Sequence, residues 1–459
     1  MQFNSIAEMK SALEGSVRLA HGRIDVANEQ VFRADDLDRL VYSAVFGDDQ
    51  VKAASRWVIW EAALQMGAMP ASIQGMYQAA GKEGILARRT VPAMNLRGIT
   101  YDMARAAFRA ALAENVGTLI FEIARSEMGY TSQRPSEYAT VVLAAALKEG
   151  FRGPVFIQGD HFQLVRSNYE RDANAEVGTV RSLIEEALDG GFYNIDIDAS
   201  TLVDITKKTV AEQQTLNVKY TAEMTSFIRQ HQPAGVTVSV GGEIGEVGGH
   251  NSTVEELKTF MDEYLRELGS ARPGISKISI QTGTVHGGVP LAGGGVADVK
   301  LDFDRLKELS EIARKDYGLA GAVQHGASTL PDDYFDLFPK MGAAEVHLAT
   351  GFQNIVFNSP AMPRELRDRM YAYLADKRAS ERKQGETDEQ FYYKTRKRAW
   401  GPFKQELWNM PSETREQLSK ELQDQFTKLY RKLGVTNSKD LPGKYVKPEP
   451  VHKPAPASI

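Results

Sequence analysis

Asp160 and His161 close an apolar run, Pro154-Val-Phe-Ile-Gln-Gly-Asp160-His161, and set a carboxylate beside an imidazole. A hydrophobic segment that stops abruptly at such a pair reads as a buried strand delivering two chemical groups to its C-terminal mouth. Later runs end the same way. Tyr193-Asn-Ile-Asp-Ile-Asp198 ends in a carboxylate, and the next ends in Gly241-Gly-Glu243-Ile-Gly. Others lead into Gly283-Thr-Val-His286-Gly-Gly, Gln324-His325-Gly-Ala-Ser328, and a last run carrying His347 and Thr350. Five of the eight histidines fall in these strand-end segments or, for His250, just beyond one. Imidazoles and carboxylates brought from separate strands suit a divalent transition metal, zinc above all. Three protein ligands would leave a coordination position open for substrate.

His161, His286 and His325 are the ligand candidates, because each abuts a glycine or a strand end. Any one of them alone reads better as a hydrogen-bonded structural residue. The three together favour a metal. His347 lines the same mouth if its strand phase is right. His250 and His231 read as loop and surface residues, and His452 as a surface residue. The Gly283 and His325-Gly-Ala-Ser328 segments also expose backbone N–H groups and hydroxyls that can cradle a phosphate. The plainer reading of each is a tight turn between strand and helix.

Elements of fixed order must position these groups. From residue 88 onward, short β-rich runs alternate with amphipathic stretches. The runs are Val91–Asn95, Gly117–Ala124, Pro154–Asp160, Phe192–Ala199, Val236–Gly245, Lys277–Gly283, Gly321–Gly326 and Ala344–Gly351. Between them, Tyr101–Asn115, Ser136–Glu149, Val177–Leu188, Val254–Leu268 and Phe303–Tyr317 carry helical periodicity. Ser252 or Thr253, and Asp302, stand as helix starts, and Gly150, Gly190 and Gly318 as stops. Eight such units predict an α/β fold, a TIM (β/α)8 barrel, with an open doubly wound sheet as the alternative. No Gly-x-Gly-x-x-Gly joins the first strand to its helix, which weakens a dinucleotide-binding reading.

The barrel is expected over residues 88–360. Residues 1–87 read as a helical N-terminal extension and 361–440 as a helical C-terminal region. In the latter, Leu418, Leu422, Phe426, Leu429 and Leu433 share one face, as core or as a subunit contact. Residues 441–459 are proline-rich and read as an extended or disordered tail, with a neighbouring subunit as one surface it could follow.

Composition narrows the class. Charged residues make up 25%, mixed in sign, with a formal net charge of -5, so neither nucleic acid nor a membrane surface is an expected partner. The absence of cysteine excludes disulfides, thiolate metal sites and cysteine nucleophiles. The N-terminus lacks the pattern of a signal peptide, and no run approaches a membrane span. A cytoplasmic enzyme is the default.

Over residues 88–355 the chain resembles the class II, metal-dependent ketose-bisphosphate aldolases. The resemblance rests on Asp160-His161, Ile197-Asp198-Ala-Ser, Glu243-Ile-Gly245, Gly248-Gly249, Gly283-Thr284-Val-His286-Gly287, Leu301–Leu306, His325-Gly-Ala-Ser328 and Val91-Pro-Ala-Met-Asn95. It implies a catalytic zinc on His161, His286 and His325, with Asp198 and Glu243 near it or at a second divalent metal position. It implies Asp160 as the acid/base on the ketose C4 hydroxyl. Asn95 would lie near substrate, and Gly283, Gly287, Ser328 and Thr350 would help hold phosphate. The expected activity is aldol cleavage of a phosphorylated ketose, fructose or tagatose 1,6-bisphosphate being the family's usual substrates, in carbohydrate metabolism such as glycolysis. Cleavage makes an enediolate whose charge a chelating metal stabilises. A homo-oligomer is also expected.

Three positions depart from the family pattern. Asn251 stands at or near a position usually held by a proton-handling glutamate, with Glu246 and Glu255 as substitutes. Val289-Pro290 replaces a Tyr-Lys pair, and His347-Leu-Ala-Thr350-Gly351 replaces Asn-x-x-Thr-Asp/Glu. They leave open a different ketose or hydroxy-keto substrate, or a non-catalytic aldolase-like subunit.

Overall fold

Eight apolar runs become parallel strands that close on themselves. Numbered along the chain, they are β1 (Val91–Asn95), β2 (Ile120–Ala124), β3 (Gly153–Gln163), β4 (Asn194–Asp198), β5 (Ser239–Glu243), β6 (Lys277–Ile280), β7 (Ala322–Gln324) and β8 (Glu345–Leu348). Each pairs in parallel with its sequence neighbour, and β8 pairs back to β1. This is the closed (β/α)8 barrel, and the open sheet is excluded. The computed structural model of the chain describes residues 2–20, 22–245, 250–270, 272–283, 291, 301–457 and 459. His286, Gly287, Glu246, Gly248-Gly249 and Val289-Pro290 lie outside the described residues.

The helices between strands follow their sequence signals. Val254–Leu268 starts at Thr253, whose hydroxyl accepts from the Glu256 N–H while Glu256 accepts from the Thr253 N–H. Ser252 does not cap this helix; its hydroxyl instead accepts from Gln281 N at 2.9 Å. Phe303–Tyr317 starts at Asp302 and stops at Gly318 (φ 67°). The helix Ala173–Gly190 runs through Gly190, and Gly191 (φ 92°) is the left-handed stop.

The N-terminal region is not wholly helical. It holds the helices Ile6–Leu13, Leu37–Phe46, Asp49–Met66 and Gln74–Glu83, but also a hairpin (Val17–Ala20 with Arg23–Val26) and the strand Ala68–Ala71. That strand pairs with β3 over Gly153–Phe156, while β4 pairs with β3 from Gln158 onward. The two therefore lie end to end along β3. Asn194 ties the seam, donating to Ala71 O and Ile157 O and accepting from Ile73 N at 2.8 Å. A four-residue strand with a central proline carries too little pattern to be read in advance.

The C-terminal helix Ser412–Lys432 buries its stripe of Leu418, Leu422, Phe426 and Leu429 in the core of the same chain. Tyr430 reaches Ala107 O, and Arg415 pairs with Asp102, both on the helix Thr100–Ala113. The stripe is therefore core rather than a subunit contact, each side chain contributing about 1.5–3 kcal/mol of burial. The proline-rich tail folds back on the N-terminal helix Asp49–Met66 of its own chain. Trp57 donates to Lys453 O at 3.0 Å and Trp60 to Val451 O at 2.9 Å. The Lys453 ammonium lies 3.7 Å from the Trp60 ring centre, and exposed His452 meets Glu61.

Candidate active site

Strand alternation should send Asp160 and His161 to opposite faces of β3. A bulge prevents this. Gly159 pairs with Ile195 and Phe162 with Ile197, so three steps along β3 match two along β4. The extra residue falls at Asp160-His161, and His161 takes a left-handed φ of 42°. Both side chains consequently enter the barrel mouth.

There His161 Nδ1 lies 3.2 Å from Glu243 Oε2 and 3.3 Å from Asp198 Oδ2. His325 Nδ1 lies 3.7 Å from the same Glu243 oxygen. Ligands about 2.0–2.1 Å from a tetrahedral ion stand roughly 3.3–3.5 Å apart, so His161, Glu243 and His325 are spaced to share one. Asp198 accepts from Gln163 Nε2 and from the Ser200 hydroxyl and N–H, and so backs His161 as a held carboxylate. The imidazoles of His161, His325 and His347 follow one another at ring-centre distances of 4.1 Å. The mouth thus crowds carboxylates around imidazoles. Burial alone would lower the His161 pKa, but Asp160 and Glu243 raise it well above its ordinary value. A divalent cation would balance the same negative charge, and the donor set suits zinc.

Asp160 is buried and fully oriented. Its Oδ2 accepts from Asn95 Nδ2 at 2.8 Å, and its Oδ1 faces His347 Nδ1. Burial pushes its pKa up, but His161, His347 and His325 outweigh burial and hold it well below the usual carboxylate range.

One layer deeper, the barrel is charged instead of apolar. Lys277 reaches Asp196 at 3.0 Å, Glu345 at 2.5 Å and Gln158 Oε1 at 2.7 Å. Gln158 donates in turn to Glu122 and Glu345, and Tyr77 from the N-terminal region donates to Glu345. His347 Nε2 lies 2.6 Å from Glu345 and joins this layer to the mouth. Burial is the main influence on Glu122, pushing it up to about 8 against the opposing pull of His347. Burial likewise raises Asp196 to about 6, with Lys277 opposing. Among the described residues, Glu122, Glu345 and His347 form a second group spaced as metal ligands, and Asp160, Asp196, His325 and His347 a third.

A cavity of about 620 Å³ opens above these groups. It brings together Asn95, Asp160, His161, Asp198, Glu243, His325, Ser328, His347 and Thr350. Ser328 accepts from Ala349 N, and Thr350 opens the helix Thr350–Asn358. Gly283 does not line the cavity; its N–H donates to Gln281 Oε1. Asn251 and Glu255 are solvent-exposed and also stand outside the lining. The strand readings do not single out Glu127, Arg97, Lys394 and Lys397, which all face the cavity. Glu127 accepts from Asn95 and from Arg97, and Tyr130 lies beside Arg97. Both lysines come from the C-terminal region, where no motif marks them.

The family model for class II fructose-bisphosphate aldolases matches residues 71–406. The chain belongs to that family. A fructose-bisphosphate aldolase of Giardia intestinalis is 23% identical over 232 residues, covering 50% of this chain and 59% of the relative. A 6-phospho-5-dehydro-2-deoxy-D-gluconate aldolase of Shouchella clausii is 25% identical over 167 residues, covering 36% and 48%. The chain thus matches about half the length of these relatives. In fold, it is similar to the fructuronate-tagaturonate epimerase of Cohnella laeviribosi, with a TM-score of 0.52 at 13% identity over 94% of both chains. No helix among the described residues is long and apolar enough to cross a membrane.

Proposed function

We propose that this family member is a zinc-dependent lyase that cleaves, reversibly, the aldol bond of a phosphorylated ketose of the fructose- or tagatose-1,6-bisphosphate type. The observation that carries this is a held, ionised Asp160 beside the His161–Glu243–His325 trio at one cavity floor. His286, from the segment outside the described residues, would complete the ligand set. A bound divalent cation supplies Lewis-acid stabilisation for the negative charge that develops at the ketone oxygen.

The chain's own groups do the rest. Asn95 fixes one Asp160 oxygen, leaving the carboxylate aimed into the cavity as a base. In the cleavage direction Asp160 takes the substrate's hydroxyl proton as the carbon–carbon bond breaks, and in condensation it returns that proton. The closed barrel wall beneath His347 and Glu345 excludes bulk water from below.

A second reading keeps Asp160 and the metal but changes the substrate. Asn251 cannot act as a base and stands exposed, so a ketose with different end groups or proton demands fits the departure. The intact surroundings of Asp160 speak against a non-catalytic subunit. The test is cleavage of fructose- and tagatose-1,6-bisphosphate by the zinc-loaded protein, alongside a panel of other ketoses. Zinc-loaded wild type that cleaves none of them, with His161→Ala indistinguishable from it, would overturn the proposal.

A further inference from the structure

The side-chain nitrogen of Asn95 carries two hydrogens, and carboxylates take both. One goes to Asp160 Oδ2 at 2.8 Å and the other to Glu127 Oε2 at 2.9 Å. Two acceptors on one side of an amide fix which way it faces, because its oxygen cannot donate to either. The nitrogen points at the acids and the carbonyl oxygen away from them. Among the described residues no donor reaches that oxygen, although Asn95 is buried and lines the cavity.

Glu127 stands in the first turn of the helix Arg125–Thr131, directly after β2, and its Oε2 also accepts from Ala124 N at 3.0 Å. Helix capping accounts for that one contact and needs no burial. Glu127 is nevertheless only 3% exposed. Its second oxygen accepts from Arg97 Nε at 2.6 Å, and Arg97 balances the buried charge. Its partners, Asn95, Arg97, Ala124 N and the Tyr130 hydroxyl, are all donors. Glu127 therefore works as a pure acceptor.

We infer that Glu127 is a positioning residue that, through Asn95, holds Asp160 in place and turns the Asn95 carbonyl oxygen to the cavity as an acceptor for a substrate hydroxyl. The inference rests on the reading of this cavity as an aldolase substrate site. A hydroxyl at that point gains a hydrogen bond, whereas an anionic oxygen would meet an acceptor with two carboxylates behind it. Arg97, Glu127, Asn95 and Asp160 form one hydrogen-bonded chain from the loop after β1 to the bulge of β3.

The test uses the full-length protein with 15N-labelled asparagine. The Asn95 side-chain NMR signal, identified by its loss in Asn95→Ala, reports exchange of the two amide hydrogens with water. Glu127→Ala should speed that exchange by about tenfold or more, the worth of a hydrogen bond to a charged group. Glu127→Gln, which keeps one carbonyl oxygen and serves if Glu127→Ala does not fold, should fall between. Exchange as slow as wild type's in the folded variants overturns the inference. Kinetics then separate positioning from helix capping. Because Glu127 acts through Asn95, the double variant Glu127→Ala/Asn95→Ala should cleave within about threefold of Asn95→Ala alone, and losses that multiply would overturn the link. Among monodeoxy forms of the cleaved ketose, one should lose about tenfold in kcat/KM with wild type but not with Asn95→Ala. Equal losses with both proteins would overturn the hydroxyl contact. Faster exchange in the variants without any ketose cleavage by wild type keeps the positioning chain and removes the aldolase reading. Cleavage by wild type with unchanged exchange in the variants does the reverse.

Discussion

The imidazole of His347 faces the carboxylate of Asp160 across 3.2 Å, Nδ1 to Oδ1, while its Nε2 lies 2.6 Å from Glu345. One ring therefore couples the Asp160 carboxylate to the charged barrel interior. His347→Leu would leave Asp160, Glu122 and Glu345 buried without that partner. Breaking a buried ionic partnership costs about 3–5 kcal/mol. Urea denaturation of the variant should show a loss of that order, and an unchanged midpoint would contradict the coupling.

Asp160→Asn should lower kcat by about 10²–10⁴-fold, the usual worth of a positioned acid/base. Asp160 belongs to the group with Asp196, His325 and His347 and not to the His161–Glu243–His325 trio, so if the trio holds the ion, zinc content should stay at the wild-type level. Elemental analysis alongside kinetics checks this. Parallel loss of zinc would make Asp160 a ligand rather than a proton carrier.

Glu122 gives a pH signature. Its ordinary value of 4.5 rises to about 8 in the fold. Between those values the folded state keeps a proton that the unfolded state has lost, so stability falls as pH rises, by at most about 1.4 kcal/mol per pH unit. His347 acts in the same direction: burial would lower it, but its carboxylate neighbours raise it, so its contribution fades as pH rises. Glu122→Gln has no such proton to lose. Chelator-treated Glu122→Gln should show a flatter stability profile from pH 5 to 8, and a profile as steep as wild type's would refute the assignment.

Gly241 gives Lys277 room to cross the barrel. A Cβ there would stand 2.3 Å from Asp196 Oδ1 and 2.9 Å from Lys277 Cε. Gly241→Ala should therefore displace the Lys277–Asp196 pair and cost about 1–3 kcal/mol as overpacking. Thermal unfolding measures it, and a variant as stable as wild type would show that the interior yields.

Removing residues 447–459 should expose Trp57 and Trp60, whose indole N–H groups the tail accepts. Tryptophan emission should shift to longer wavelength, and stability should fall by about 2 kcal/mol from the lost hydrogen bonds and burial. Unchanged emission would mean that the tail does not cover these rings.

The mouth of the barrel was legible because parallel strands are buried on both faces, so their polar ends stand out against apolar runs. Asp160, His161, Glu243, His325 and His347 converge on that account. The interior layer was harder to see. Glu122, Lys277 and Glu345 are single charges inside apolar runs, and period-two alternation reads such residues as solvent-facing. Only closure of the barrel turns them inward together. The bulge at His161 was likewise invisible, since it depends on the register against β4. Lys397 sits in a helical region read as packing, and only tertiary placement brings it to the cavity. Its neighbour Lys394 illustrates the difficulty, since the two look alike in sequence and differ only in what surrounds them.

The end-to-end placement of Ala68–Ala71 and β4 along β3 bears on how this protein can be divided. A fragment starting at residue 88, where the β-rich texture begins, would strip β3 of its partner over Gly153–Phe156. That leaves a naked strand edge of unpaired amides and carbonyls, a template for pairing with other chains. Such a fragment is expected to aggregate even with every group at the barrel mouth intact, so the smallest unit that keeps this edge of β3 paired begins upstream of Ala68.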